Sequence, residues 1–260
     1  MFRVWGTEQS GALALSTGST LTVAANAESV LSLSAAASGQ KGLYVTVSSR
    51  QTPVSASVRV IRTEGLNPKG SDYAAAAGEA SKELVFPAVA EGDKATLTVY
   101  AAGSGSLTAA WVGAAGQSVH QYSGDRVTTI DLGDVPKDAS ALKITADTKV
   151  TAGVTVSRDG NGNQSDFALI GAAQTDDRSA AVIPSGLDGR VSVVNASLSS
   201  KQMHMTGYDD KGAAVGGEDH HGGRRCRGEL RRVGFGKERL RGGRRRQGTV
   251  IGVSGCPAPR

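Results

Sequence analysis

Small and β-branched residues alternate with polar residues along most of this chain. The alternation is clearest at Val150–Arg158, where Val or Ala occupies every second position, and it recurs at Val54–Arg62. A period of two residues puts alternate side chains on opposite faces of an extended strand, so the pattern predicts β-strands with one apolar face. No segment sustains the period of about 3.6 residues that is typical of an amphipathic helix. The chain is therefore predicted to be all-β.

Matched segments recur along the chain at a spacing of 95 to 97 residues. The pairs are VRVIR (Val58–Arg62) with VTVSR (Val154–Arg158), LVFP (Leu84–Pro87) with AVIP (Ala181–Pro184), and DKATLTV (Asp93–Val99) with DGRVSVV (Asp188–Val194). One immunoglobulin-like sandwich has about 100 residues and about seven short strands. The repeat therefore predicts tandem immunoglobulin-like antiparallel β-sandwich repeats.

The spacing divides the chain into three predicted domains. Residues 1–80 form a partial repeat that lacks its first strands, residues 81–177 a complete repeat, and residues 178–260 a third repeat. The strands predicted for the complete repeat are Leu84–Pro87, Ala95–Ala101, Leu107–Val112, Val119–Tyr122, Val127–Leu132, Ala141–Ala146 and Val150–Arg158. Those predicted for the partial repeat are Phe2–Trp5, Leu21–Ala24, Val30–Leu33, Leu43–Val47 and Val54–Arg62. Because two opening strands are missing from it, we expect the chain to be a fragment of a longer protein.

The third repeat loses its strand pattern at residues 218–247. Residues 218–246 carry ten Arg and one Lys against four acidic residues, so the net charge of +5 comes from this segment. After it, GTVIGVS at Gly248–Ser254 resembles the last strand of the complete repeat. We predict that residues 218–247 are translated out of frame, because a shifted frame permits the alternating residues that the repeat requires.

The most specific motif is Ser-Asp-aromatic-Ala, which follows each of the two clearest strands. It occurs as Ser71, Asp72 and Tyr73 and again as Ser165, Asp166 and Phe167, each time before Ala. Ser and Asp side chains commonly bond neighbouring backbone amides in turns. We predict a structural turn with its aromatic ring in the core; a ligand-binding or ion-binding role is the alternative.

A metal site is not predicted, and the candidate ligands are Asp159, Asn161 and Asn163. These residues alternate with glycines as at the start of a calcium loop. An EF-hand requires Gly at the sixth position and Glu at the twelfth, where this chain has Gln164 and Ile170. The EF-hand is therefore excluded, which leaves a looser calcium turn or a flexible Asn/Gly hairpin loop.

Two further sets of residues suggest binding. The aromatic residues Trp5, Trp111, Tyr44, Tyr100 and Tyr122 could form a sugar-binding platform, although packing anchors are the preferred interpretation in a core of small residues. The Arg/Gly-rich tract at 224–246 could neutralise nucleic-acid phosphates. It has one aromatic residue for stacking bases and it interrupts a repeat, so nucleic-acid binding is an alternative that we do not expect.

The sequence does not predict an enzyme or a cofactor. No metalloprotease, nucleophile-elbow, phosphate-loop or Cys-x-x-Cys motif occurs. The two cysteines, Cys226 and Cys256, lie near the end of the chain, so residues 1–217 have neither a disulfide scaffold nor a cysteine zinc site. No apolar run is long enough for a transmembrane helix, and the first residues lack the apolar region of a signal peptide.

Three segments carry a resemblance to a known family: AGVTVSR with SDFALIGA, RVSVVNAS with MTGYDDKG, and VIGVSG. They resemble an actinobacterial family of secreted or cell-envelope, β-rich proteins that is classed as a domain of unknown function. The resemblance implies a secreted or envelope-associated parent protein and supplies no catalytic residues. We expect a non-enzymatic structural or adhesive module whose partner is a cell-wall or envelope component. The alternatives are a carbohydrate- or peptidoglycan-binding module and nucleic-acid binding through the Arg/Gly-rich tract. The oligomeric state is not predicted.

Overall fold

A computed structural model of the chain describes residues 1–15, 18–50, 52–160, 165–173, 178–183, 192–195, 199, 201–209, 211–222 and 249–255. In these residues the protein is all-β apart from one four-residue helix, α1, and all of its strand pairs are antiparallel. The chain divides into two compact units, Met1–Ala173 and Gln174–Arg260. None of the described helices is long and apolar enough to cross a membrane.

The first unit contains eleven of the described strands. They are β1 Phe2–Trp5, β2 Tyr44–Val47, β3 Ser57–Glu64, β4 Asn67–Ala75, β5 Ser81–Pro87, β6 Lys94–Ala101, β7 Gly105–Val112, β8 Gln117–Tyr122, β9 Arg126–Asp134, β10 Ala141–Asp159 and β11 Ser165–Gly171, with α1 at Ser34–Ala37. β5 to β11 form one curled sheet, while β1–β2 and β3–β4 are separate two-stranded sheets.

The curled sheet is organised around β10, which takes part in both halves of it. The first part of β10, Ala141–Ala146, pairs with β5 and β7, and the second part, Thr151–Asp159, pairs with β6 and β11. The prediction of two separate strands here is wrong. The intervening Asp147-Thr148-Lys149 contains neither Gly nor Pro, so the strand bends at a register shift instead of turning back.

The main core lies inside the curl and follows the predicted alternation. In β6 every second residue is buried, and the same holds for the second part of β10. Fully buried side chains come from several strands: Phe86, Leu97, Val99, Leu107, Leu142, Ile144, Val150 and Val154. The period-two pattern therefore marks the core face of these strands.

The N-terminal part differs from its prediction. Leu21–Ala24 and Val30–Leu33 are not strands in the structure. Val23 and Val30 are exposed, so these apolar residues have no covered face that would favour an extended strand over other conformations. Of the remaining predicted strands, Phe2–Trp5 is β1, and parts of Leu43–Val47 and Val54–Arg62 form β2 and β3.

The second unit has four described strands, β12 Arg178–Ile183, β13 Lys201–Tyr208, β14 Ala214–Gly222 and β15 Thr249–Gly255. Their order in the sheet is β12-β15-β13-β14. The order β5-β10-β7-β8 occurs in the first unit. The segment predicted to be out of frame overlaps β14 at residues 218–222, and residues 223–247 lie outside the described part. The division of the chain into three repeats stays a prediction.

Candidate functional site

Both Ser-Asp-aromatic motifs lie inside strands instead of in turns. The first is in β4 and the second is in β11. In each copy the aspartate accepts a hydrogen bond from the next backbone amide: Tyr73 donates to Asp72 Oδ1 and Phe167 donates to Asp166 Oδ1, both at 2.8 Å. The two copies therefore share the local bond that short polar side chains favour, although the strands continue through the motif.

The two motifs meet where β4 lies beside β11. The backbone amide of Leu169 donates to Asp72 Oδ2 at 2.7 Å. Gly70 lies on β4, as Asp72 does. A Cβ atom placed on Gly70 would lie 2.6 Å from Asp166 Oδ1 of β11, and the φ angle of Gly70 is +111°. Only glycine permits this close approach without strain. Asp72 therefore joins the β3–β4 hairpin to the edge of the curled sheet.

The two aromatic rings of the motifs have different surroundings. Phe167 is 7% exposed, whereas Tyr73 is 62% exposed. The guanidinium carbon of Arg59, on the neighbouring strand β3, lies 5.9 Å from the centre of the Tyr73 ring. This distance is typical of a surface cation–π contact. The predicted core position of the ring applies to Phe167 and not to Tyr73.

We expect the Asp72→Ala substitution to lower the free energy of unfolding by about 1–2 kcal/mol, because the partly buried Leu169 amide loses a charged acceptor. Hydrogen exchange at Leu169 should accelerate. Urea unfolding and residue-resolved exchange measure the two effects. The matched control is Ser71→Ala at the exposed neighbouring position, which should change stability by less than about 0.5 kcal/mol. Unchanged exchange at Leu169 in the Asp72 variant would contradict the assigned bond.

The candidate calcium ligands are only partly described. Asp159 ends β10 and forms an exposed ion pair with Lys94, at 3.5 Å between Nζ and Oδ2. Asn161 and Asn163 lie outside the described residues. Among the residues that the structure describes, no group of three or more His, Cys, Asp or Glu side chains could hold a metal ion. The structure thus adds no further ligand to the one described member of this set.

Three aromatic residues from distant parts of the chain form one cluster. The rings of Tyr44 and Tyr100 stack with their centres 4.0 Å apart, and Trp5 lies 5.5 Å from Tyr44 and 5.2 Å from Tyr100. Asp125 Oδ1 accepts hydrogen bonds from Trp5 Nε1 at 2.9 Å and from the Tyr100 hydroxyl at 3.3 Å. Stacked and tilted aromatic pairs such as these add to the stability gained from burial.

This aromatic cluster attaches the two-stranded β1–β2 sheet to β6 and β9. The Val127 amide donates to the Gly6 carbonyl at 2.9 Å, and Arg126 donates to the Thr7 carbonyl. Val4 and Val127 are buried but lie outside the main core. Trp5 is buried as well, so its ring is used for packing. Of the other predicted aromatic residues, Trp111 packs against the main core and Tyr122 lies within it.

The aromatic cluster makes the free energy of unfolding decrease at alkaline pH. Burial raises the pKa of Tyr100 above its ordinary value of 10.0, and the Asp125 carboxylate raises it further by charge repulsion and by accepting the hydroxyl hydrogen bond. The native state therefore holds this proton more tightly than the unfolded state does. The resulting stabilisation is complete below about pH 10 and is lost as the pH rises through the native pKa.

We expect urea unfolding to show a decline in stability above about pH 10 that is smaller in the Tyr100→Phe variant, which has no hydroxyl at this position. The difference between the two pH profiles isolates Tyr100 from the other tyrosines. Tyrosinate absorbance of the folded protein should show one fewer late-titrating group in the variant. Identical pH profiles for the two proteins would contradict the coupling of Tyr100 to Asp125.

Two other carboxylates hold separate strands together. Asp93, buried just before β6, bonds Arg158 of β10 with 2.5 Å between Oδ1 and Nε. Asp147, at the bend of β10, accepts hydrogen bonds from the backbone amide and hydroxyl of Ser106 at 2.8 and 2.7 Å. These bonds lower the pKa of Asp147. Its stabilising effect is therefore present above the unfolded pKa and is lost as the pH falls through the native pKa.

Sequence reasoning missed the aspartates that matter most in this structure. Asp125 and Asp147 stand outside any motif or matched segment, and the partners of all three aspartates, Asp93 included, lie 20 or more residues away. The available sequence signal was the position of Asp93 directly before an alternating strand in a matched segment. Asp125 has a φ angle of +54°, which Asp tolerates better than most residues.

The fold and these contacts define an all-β protein of antiparallel sheets whose charged and aromatic side chains join one segment to another. A family model described as a family of unknown function, DUF5719, matches residues 1–221. The chain therefore belongs to the DUF5719 family. Neither the search of curated proteins nor the search of solved structures found a match.

Proposed function

We propose that this chain is a non-enzymatic structural or adhesive module of a secreted or cell-envelope protein. The observation that carries the proposal is that the aspartate side chains of the chain bond one strand to another. Asp72 connects β4 to β11, Asp93 connects the start of β6 to β10, and Asp125 connects β1 to β6. A carboxylate that is held in this way contributes to the rigidity of the module, which a structural or adhesive part of a surface requires.

The carbohydrate-binding alternative makes a different demand on the aromatic residues. Sugar binding needs an exposed ring face, whereas the Trp5, Tyr44 and Tyr100 rings contact one another. The exposed ring of Tyr73 is the described aromatic side chain that best meets the demand. A substitution of Tyr73 therefore distinguishes carbohydrate binding from the structural or adhesive function.

Retention on purified cell wall tests the proposal. We expect the wild-type chain and the Tyr73→Ala variant to be retained, and to the same extent; absence of retention for both would contradict a cell-wall partner. Soluble peptidoglycan fragments should not compete, because a structural module has no saccharide site. Retention that is lost in the Tyr73 variant, or that the fragments abolish, would establish the carbohydrate-binding alternative. Retention of nucleic acid that weakens with salt would instead favour the Arg/Gly-rich tract.

The tandem immunoglobulin-like organisation is part of the same proposal. Its support is the recurrence of one antiparallel strand order, β5-β10-β7-β8 in the first unit and β12-β15-β13-β14 in the second, in which β15 takes the place of the first part of β10. A second support is that β1 pairs with β2 as β7 pairs with β10. Trp5 stands opposite Tyr44 in the first pair, and Trp111 stands opposite Leu142 in the second. Strands in repeated units are expected to keep their neighbours and their facing residues.

The out-of-frame origin of residues 218–247 is supported by the family comparison. The family match ends at residue 221, close to Glu218, where the alternation of the sequence stops although β14 continues to Gly222. Sequencing of the gene together with mass spectrometry of the natural protein tests the idea. The expected result is a frame change near the codon for Glu218 and a natural protein without the Arg/Gly-rich peptide. Detection of that peptide in the natural protein would refute it.

A further inference from the structure

We propose that the open edge of β8, Gln117–Tyr122, pairs with the same edge of a second copy of this chain in an antiparallel, twofold-symmetric contact centred on Val119. The inference is independent of the envelope role. It rests on three observations. The other edges of the curled sheet are covered, the edge of β8 has no feature that prevents pairing, and the sequence of β8 is complementary to itself.

β8 differs from the other three strands that lie at the edges of the curled sheet, β5, β9 and β11. Backbone groups on the outward sides of these strands bond to Ala173, Gly6 and Asp72, respectively, at 2.8, 2.9 and 2.7 Å. In the part of the chain that the structure describes, β8 pairs with β7 on one side and with no strand on the other. The fold therefore covers three edges of this sheet and leaves the described edge of β8 open.

The edge of β8 lacks the features by which edge strands usually avoid pairing. Charged side chains, proline and β-bulges are common among these features. Residues 103–124, which include β7 and β8, contain no Asp, Glu, Lys, Arg or Pro, and β8 pairs with β7 without a register shift. Four of the six side chains of β8 are exposed, and Val119 is 63% exposed. This edge is therefore accessible, and no carboxylate, lysine or arginine on it would oppose an added strand.

The sequence of β8 is complementary to itself about Val119. In an antiparallel pair centred on this residue, Val119 faces Val119 of the partner subunit. Gln117 then faces the partner's Gln121, and Ser118 faces the partner's His120. Within one chain His120 Nε2 and Ser118 Oγ are already 2.7 Å apart, so these two side chains are suited to each other as donor and acceptor. Because facing side chains in an antiparallel pair interact directly, every such pair in this contact is a compatible one.

The pairing of β8 with β7 fixes the face of the sheet on which each new pair lies. His120 stands opposite Leu107 and Ser118 opposite Ala109. Leu107 and Ala109 are buried, so the imidazole–hydroxyl pairs form on the core side, while the Val119 pair and the glutamine pairs form on the outer side. A second copy supplies all of these pairs at once and extends the sheet β5-β10-β7-β8 into that of its partner. This agreement over the whole strand favours a second copy over a strand of unrelated sequence.

Sedimentation velocity of the full chain at increasing protein concentration tests the proposal. One short strand from each subunit makes a contact below the roughly 1,200 Å² of a standard interface, so we expect a weak dimer that forms as the concentration rises. Hydrogen exchange at Gln117–Tyr122 should slow as the dimer forms. The Val119→Lys substitution places two like charges opposite each other and should weaken dimerisation about fivefold or more. The matched control is Leu66→Lys at another exposed position, which should leave dimerisation within about twofold.

A mixture of Val119→Lys and Val119→Glu chains tests the symmetry of the contact. Each variant alone should be mainly monomeric, because a residue on the twofold axis faces its own copy. The mixture should form a heterodimer, since the lysine of one chain then faces the glutamate of the other. This recovery separates loss of the β8 contact from unfolding of either variant.

Three results would overturn the proposal. The first is a wild-type chain that stays monomeric at every concentration. The second is a dimer that the Val119→Lys substitution leaves unchanged, which would place the interface on another surface. The third is loss of the dimer in both Val119 variants without recovery in the mixture, which would show that Val119 does not face its own copy.

Discussion

The Leu142→Ala substitution is expected to lower the free energy of unfolding of the first unit by about 3–5 kcal/mol. Leu142 is fully buried at the point where β10 lies between two neighbouring strands. It stands opposite Phe86 of β5 on one side and Trp111 of β7 on the other. Removal of its branched end would therefore open a cavity among side chains from three strands, where the backbone ladders limit any collapse.

A matched Leu→Ala substitution at an exposed position separates the effect of burial on stability from the effect of the change in side chain. Leu66 lies at the turn between β3 and β4 and is fully exposed, so Leu66→Ala should change stability by less than about 0.5 kcal/mol. Urea unfolding of both variants, with an unchanged dependence on denaturant concentration, makes the comparison. A cost below about 1 kcal/mol for Leu142→Ala would show that β10 does not hold the two halves of the sheet together as described.

The alternation of apolar and polar residues predicted the strands of the curled sheet because each of these strands has one face in the core. β6 and the second part of β10 illustrate this, since every second residue of each is buried. Alternation depends only on burial, so it could not reveal that β10 is one strand. Its bend is held by Tyr122, whose hydroxyl contacts the hydroxyl and the amide of Thr148 at 2.8 and 3.2 Å. That contact joins residues distant in sequence and leaves no local signal.

The candidate site shows the same limit. Repetition identified Asp72 and Asp166 as members of one motif, but it could not show that Asp72 bonds the strand carrying the second copy. Likewise, Trp5, Tyr44 and Tyr100 were recognised as aromatic residues, while their assembly into one cluster beside Asp125 depends on the placement of the β1–β2 sheet. Sequence patterns report the face of a strand, and tertiary contacts decide which faces and edges meet.

The Gly113→Ala substitution is expected to cost about 2–4 kcal/mol. Gly113 follows β7 with a φ angle of +93°, a conformation that L-residues other than glycine adopt only with strain. In addition, a Cβ atom there would overlap the backbone carbonyl oxygen of Asp138. The surrounding backbone is fixed, because the Ser140 amide donates to the Val112 carbonyl at 2.8 Å and so closes the end of the β7–β10 ladder. Overlap with a fixed backbone adds a cost of its own to the strain.

The same loop supplies a control that isolates the overlap. Gly116 also has a positive φ angle, +108°, but a Cβ atom at this position would meet no atom within 4 Å. Gly116→Ala should therefore cost only the strain, about 1–2 kcal/mol, and the excess cost of Gly113→Ala measures the approach of the Asp138 carbonyl. Urea unfolding of the two variants gives both values. Equal costs would mean that the loop before β10 can move away from β7, and the closure of this ladder would then be looser than its hydrogen bonds indicate.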